Sequence, residues 1–117
     1  MFFEKELEIH KEIFPQATPQ DQLWHLCEEL NEMDIALSQH NNEEYMSEHA
    51  DTLFVSISLQ RFEHTKELGK LMINCLYEQF PLVIQRKIDE QLDKAIEKVK
   101  SRQYYFINGH YEREKNV

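Results

Sequence analysis

The sequence predicts an all-α protein, on three observations. Only two glycines and three prolines occur in 117 residues, while Glu, Leu, Lys and Gln, which lose little rotamer freedom in a helix, abound. No Val-, Ile- and Thr-rich alternating run marks a half-buried strand. Apolar residues instead recur at spacings of three and four, the period of one helix face. One domain is expected over residues 1–117, and because a single copy buries only a modest core, an oligomer is expected as well.

The elements follow in chain order. An amphipathic stretch from about Phe2 to Phe14 stops at Pro15. Thr18 can cap a second helix, with Pro19 at its first position and Asp21 in the first turn, where the dipole favours an acid. That helix should run to about Gln39. His40, Asn41 and Asn42 make a polar turn, and Asn42 can cap a third helix from Glu43 to about Phe62. Long helices joined so tightly must lie antiparallel. Thr65 can cap a fourth helix to about Phe80. Pro81 interrupts, and a last helix from Leu82 to about Ser101 carries Ile84, Ile88, Leu92, Ala95 and Val99 on one face. About four main helices result, built on the antiparallel hairpin. Arg102–Val117, with adjacent tyrosines and Asn108-Gly109, reads as a turn-containing tail.

Charge narrows the partners. The net charge is −9, and an acidic surface is repelled by a nucleic-acid backbone. Residues 1–81 hold 16 acidic and 5 basic side chains, whereas residues 82–117 hold 6 and 8. An acidic body therefore precedes a mildly basic arm. No apolar run approaches the ~20 residues that cross a bilayer, and the acidic N-terminus is unlike a signal peptide, so no membrane partner and a cytoplasmic location are expected. Cys27 and Cys75 lack CxxC spacing and are expected to be buried thiols.

On the second helix Leu23, Leu26, Leu30, Met33 and Leu37 form the expected buried stripe. At ~100° per residue, His25, Glu29, Glu32 and Ala36 fall on the stripe beside it. On the third helix Met46, Ala50, Leu53, Phe54 and Ile57 mark the core, flanked by Glu48 and Asp51, with Ser58 in line two turns beyond. Each helix thus offers one carboxylate pair, and the hairpin brings both pairs to similar distances from its turn. Four such groups repel one another unless a cation neutralises them. Oxygen ligands without thiolate or imidazole select Mg²⁺, or Mn²⁺ in its place. Mg²⁺ shares its coordination sphere with substrate phosphates, so a di- or triphosphate substrate is implied. Solvated acidic helix faces also produce such pairs, and spacing alone leaves both readings open.

The stretch Glu28-Glu29-Leu30-Asn31-Glu32, followed after fifteen residues by Glu48-His49-Ala50-Asp51, resembles the EExxE and ExxD signature of the MazG-like, all-α nucleoside triphosphate pyrophosphohydrolases. The flanks His25-Leu26-Cys27 and Thr52-Leu53-Phe54-Val55 are similar too, and the likeness covers residues 13–62 well and 94–109 more loosely. It implies a MazG-like helical bundle that cleaves a (d)NTP to (d)NMP and pyrophosphate, in a nucleotide-pool or house-cleaning role. It implies Glu29, Glu32, Glu48 and Asp51 as metal ligands and Glu28 as a further catalytic carboxylate. Lys94, Lys98 and Arg102, one stripe of the last helix, and the aromatic Tyr105 beyond it resemble the family's phosphate-binding segment. Ser58 stands where many relatives carry Asn, a nucleotide-holding position. A homodimer or homotetramer is expected. Two rival readings share these residues: a non-catalytic helical interaction module, and a phosphoribosyl-ATP pyrophosphohydrolase. No His has Asp or Glu three residues before it, so the ExxH pairs of di-iron bundles are absent.

Overall fold

The computed structural model describes residues 3–114. Phe2, where the first helix is predicted to begin, and Lys115, Asn116 and Val117 of the predicted tail lie outside the described residues. Among the described residues five α-helices precede a two-stranded hairpin: α1 Glu4–Ile13, α2 Pro19–Ser38, α3 Asn42–Ser58, α4 Lys66–Ile73, α5 Leu82–Lys100, β1 Tyr104–Ile107 and β2 His110–Arg113. A 3₁₀ turn, Leu59–Arg61, follows α3, and a π-helical turn, Asn74–Glu78, extends α4. The chain is thus mostly helical, as predicted, with one small antiparallel sheet. Among the described residues no helix is long and apolar enough to cross a membrane.

Local chemistry explains most boundaries. Thr18 Oγ1 accepts from the Asp21 amide at 3.1 Å, with Pro19 at the first helical position. The cap of α3 is one residue earlier than predicted: Asn41 Oδ1 accepts from the Glu44 amide at 3.0 Å, and Asn42 is already helical. Thr65 does not cap α4: its hydroxyl donates to the Leu59 carbonyl at 2.8 Å, and its oxygen accepts from no amide of the first turn. The predicted tail is a hairpin whose turn is Asn108-Gly109, with φ of 53° and 81°. Two consecutive positive φ values in a two-residue loop make the turn whose twist suits paired strands.

α3 lies at the centre. Its Leu53, Phe54 and Ile57 meet Leu7 of α1, Ile73 and Leu76 from the α4 region, and Ile88, Leu92 and Ile96 of α5 in one buried cluster. A second cluster, Phe14, Ala17 and Tyr111 flanked by Phe62, Val99, Tyr104 and Phe106, seats the β-hairpin against the α1–α2 corner. Tyr111 fixes it there, its hydroxyl accepting from the Gln16 amide at 2.8 Å and its own amide donating to Asp21 Oδ1 at 3.3 Å.

Two expectations are corrected. The inward stripe of α2 is Gln22, Leu26, Glu29, Met33 and Ala36, while Leu30 and Leu37 are 40% and 57% exposed. The helix is rotated by about one residue from the purely apolar register, which turns Glu29 toward α3. Cys27 and Cys75 are exposed rather than buried, and both are free thiols.

Gly69 is where α4 crosses the end of α3. A Cβ there would stand 3.0 Å from the Ser56 carbonyl oxygen and 3.2 Å from the Gln60 amide nitrogen. Backbone cannot yield as a side-chain tip can, so Gly69→Ala should lower stability by about 1–3 kcal/mol despite alanine's better helix propensity. Chemical denaturation measures it, and an unchanged or raised midpoint contradicts the close crossing.

Candidate metal centre and cleft

Glu29 faces Glu48 and Asp51 across the α2–α3 seam, brought there by the rotation of α2 and by the core anchoring of α3. One carboxylate oxygen from each of the three lies within 4.8 Å of the others. Glu48 is buried, and Glu29 and Asp51 are half-buried. Glu29 Oε2 and Glu48 Oε2 are both inaccessible and without a hydrogen-bond partner. Buried orphan oxygens of this kind are costly. Oxygen donors alone fit a hard divalent cation such as Mg²⁺, which Glu29, Glu48 and Asp51 would hold.

Glu32, the fourth predicted ligand, is exposed and outside this trio, though it lines the same cleft. Its charge acts on all three. Burial, more than repulsion, raises Glu29 to about 7, with Asp51 and Glu32 adding to it. Burial also raises Glu48 to about 9, helped by hydrogen bonds from its protonated form to Glu32 and Glu44. Asp51 is pushed up by burial too, although Lys98 Nζ, 3.0 Å from Asp51 Oδ2, opposes the shift.

The carboxylates sit in a cleft of about 1120 Å³, which Lys98 and Arg102 of the α5 end also line. Phe14, Phe54, Tyr104 and Tyr111 line it together with Trp24, His10 and Gln22. Of the other predicted residues, Glu28 lies on the exposed rim, its Oε1 held at 3.0 Å by His25 Nδ1. Tyr105 also lines the cleft, but its hydroxyl donates to Glu112. Lys94 lines a separate hollow with Glu43, Glu44 and Gln91. Ser58 is fully buried behind the cleft wall, where its hydroxyl reaches Gln22 Oε1 at 2.8 Å. Sequence reasoning missed His10, Gln22, Phe14, Phe54 and Tyr111. Only the polar types at 10 and 22, on stripes that prove inward-facing, were a signal.

Glu29 and Glu48 hold protons more tightly in the fold than in the unfolded chain. The stability they contribute is therefore full below about pH 4.5 and is lost as pH rises through about 7 and about 9. Metal-free protein should melt at progressively lower temperature from pH 7 to 9, and Mg²⁺ should restore most at the alkaline end, since binding displaces those protons. Glu48→Gln should raise the metal-free melting temperature at pH 8 and flatten its pH dependence. Scanning calorimetry with and without Mg²⁺ reads all three; a flat wild-type profile refutes the coupling. No family model, no curated protein and no solved structure matches this chain.

Proposed function

We propose that this chain is a Mg²⁺-dependent nucleoside triphosphate pyrophosphohydrolase of the MazG-like type, cleaving a (d)NTP to the monophosphate and pyrophosphate. The observation that carries the reading is the pair of partnerless buried oxygens, Glu29 Oε2 and Glu48 Oε2, gathered with Asp51 in a cleft that also presents Lys98 and Arg102. A carboxylate group suited to a cation, beside a lysine and an arginine suited to anions, matches a metal-bound polyphosphate. The aromatic lining of the same cleft suits a planar base. The choice of bond rests on the resemblance of residues 28–32 and 48–51 to the family signature.

Each residue then has a task. Glu29, Glu48 and Asp51 would hold the cation, and Glu32 on the rim of the same cleft would add negative charge beside it. A cation held there would offset charge on the phosphate oxygens and would lower the pKa of a water bound to it. Lys98, released from Asp51 once that carboxylate is engaged, turns to the phosphates as a point charge, and Arg102 grips them with its planar fork. Glu28, steadied by His25, orients the attacking water.

A homo-oligomer is part of the proposal. Leu30 and Leu37 leave an apolar strip on the outer side of α2, whose chief packing partner is α3, and a second copy would cover it. Sedimentation should return a multiple of the chain mass, and Leu37→Glu should shift it toward the monomer. A monomeric wild type removes this part.

With Mg²⁺, purified protein should release pyrophosphate from at least one canonical or modified (d)NTP. Glu48→Gln and Asp51→Asn should each lower the rate by about 10²-fold or more while the helical circular dichroism is unchanged. Silence across a full nucleotide panel sinks the reading.

A further inference from the structure

Behind the aromatic part of the cleft lies a hydrogen-bond chain whose directions can be assigned from chemistry. Arg61 Nη1 stands 3.0 Å from His10 Nδ1 and 3.0 Å from the Phe14 carbonyl. A guanidinium only donates, so His10 Nδ1 must accept. The proton of the neutral ring is then on Nε2, which donates to Gln22 Oε1 at 3.2 Å. His10 stays neutral because burial, and then the Arg61 charge, lower its pKa to about 3.

Ser58 Oγ donates to the same Gln22 Oε1 at 2.8 Å, sharing its proton with the Val55 carbonyl. On the other side of the amide, Gln22 Nε2 donates to Asp21 Oδ2 at 3.2 Å. Asp21 is itself fixed by the Tyr111 amide and by His25 Nε2 at 3.1 Å. The orientation of the amide is therefore locked. Flipping it would set its NH₂ against the His10 Nε2 proton and its oxygen against the Asp21 carboxylate.

A carboxamide offers two acceptor sites and two donor hydrogens. In Gln22 both acceptor sites are taken and one hydrogen is taken, which leaves a single donor on a residue that lines the cleft. Gln22 lies seven residues before Glu29, about 10 Å along the helix. Phe14, Phe54, Tyr104 and Tyr111 line the same cleft. We infer that Gln22 selects the nucleobase, accepting a ring carbonyl such as O4 of uracil or O6 of hypoxanthine and rejecting bases with an amino group there. The inference rests on the pyrophosphohydrolase reading and names the substrate class of that site. An amino group offered to Gln22 would meet a donor, with no lone pair left on Oε1 to receive it. A buried unpaired donor is the kind of mismatch that discriminates strongly.

The test uses pairs that differ at that position and, with it, in the proton on the adjacent ring nitrogen: dUTP against dCTP, and dITP against dATP, each with Mg²⁺ and a pyrophosphate readout on wild-type protein. kcat/KM should favour the carbonyl member of each pair by about 10- to 100-fold. In Gln22→Leu both ratios should fall to within about threefold of unity. Equal or reversed wild-type preferences overturn the inference while leaving the hydrolase intact, and so does a Gln22→Leu protein that keeps the ratios. If Gln22→Leu fails to fold, the wild-type pairs decide alone. Failure to cleave any of the four, or any other (d)NTP, overturns the hydrolase reading and the inference with it.

Discussion

Three carboxylates turned toward one another across a helix seam set the terms for the rest of the molecule. Like charges within 4.8 Å of one another, partly shielded from water, oppose the fold unless protons, a cation or a neighbouring ammonium offset them. Without a cation the chain uses two of these remedies: Glu48 keeps a proton to about pH 9, and Lys98 reaches Asp51. Glu48 also hydrogen-bonds Glu29, but no described group outside this acidic cluster reaches the buried Glu29 Oε2 and Glu48 Oε2. The apolar contacts of α3 must therefore carry this arrangement. Leu53 and Ile57, both with no exposed surface, lie on the neighbouring face of the helix that bears Glu48 and Asp51. Strain kept at a site and balanced by core packing elsewhere is characteristic of functional sites.

The same constraint explains why the apolar pattern of α2 misleads. Periodicity finds a stripe of Leu23, Leu26, Leu30, Met33 and Leu37, and transfer energetics alone would bury it. Burying it would point Glu29 away from Glu48 and Asp51. The observed register places Ala36, Met33, Leu26 and Glu29 inward and leaves Leu30 and Leu37 outside. Periodicity reports that a stripe exists, not which surface covers it. A stripe that belongs to a second copy is indistinguishable in the sequence from one that belongs to the core.

Legibility elsewhere follows the range of the interaction. Thr18 and Asn108-Gly109 act within a few residues, so the start of α2 and the final turn were readable. The sheet was not, since Tyr104–Ile107 and His110–Arg113 are four-residue strands whose inward sides depend on Phe14, some ninety residues away. The carboxylates were readable as pairs because each pair repeats at i, i+3, and the hairpin supplied the rest. Glu32 and Lys94 show the limit: helical spacing puts a residue on a stripe, and a rotation of roughly 40–60° decides whether it faces the trio or solvent. Ser58 shows another: helical spacing aligned it with the carboxylates, but in the fold it is fully buried and bonds Gln22, which lines the cleft while Ser58 does not.

The Gln22 assembly is the least legible part and the most constrained. Its members come from α1, α2, the end of α3 and the 3₁₀ turn that follows, and His10 and Arg61 are fifty-one residues apart. No local pattern links them. Yet the assembly favours one arrangement of protons, because its outer links, an arginine that can only donate and Asp21, which accepts from both the Gln22 amide and the Tyr111 amide, impose direction from both ends. A free amide facing a cleft could turn to suit either a carbonyl or an amino group. Held between Arg61 through His10 and Asp21, the Gln22 amide loses that choice, and residues that do not themselves line the amide's free side set its orientation.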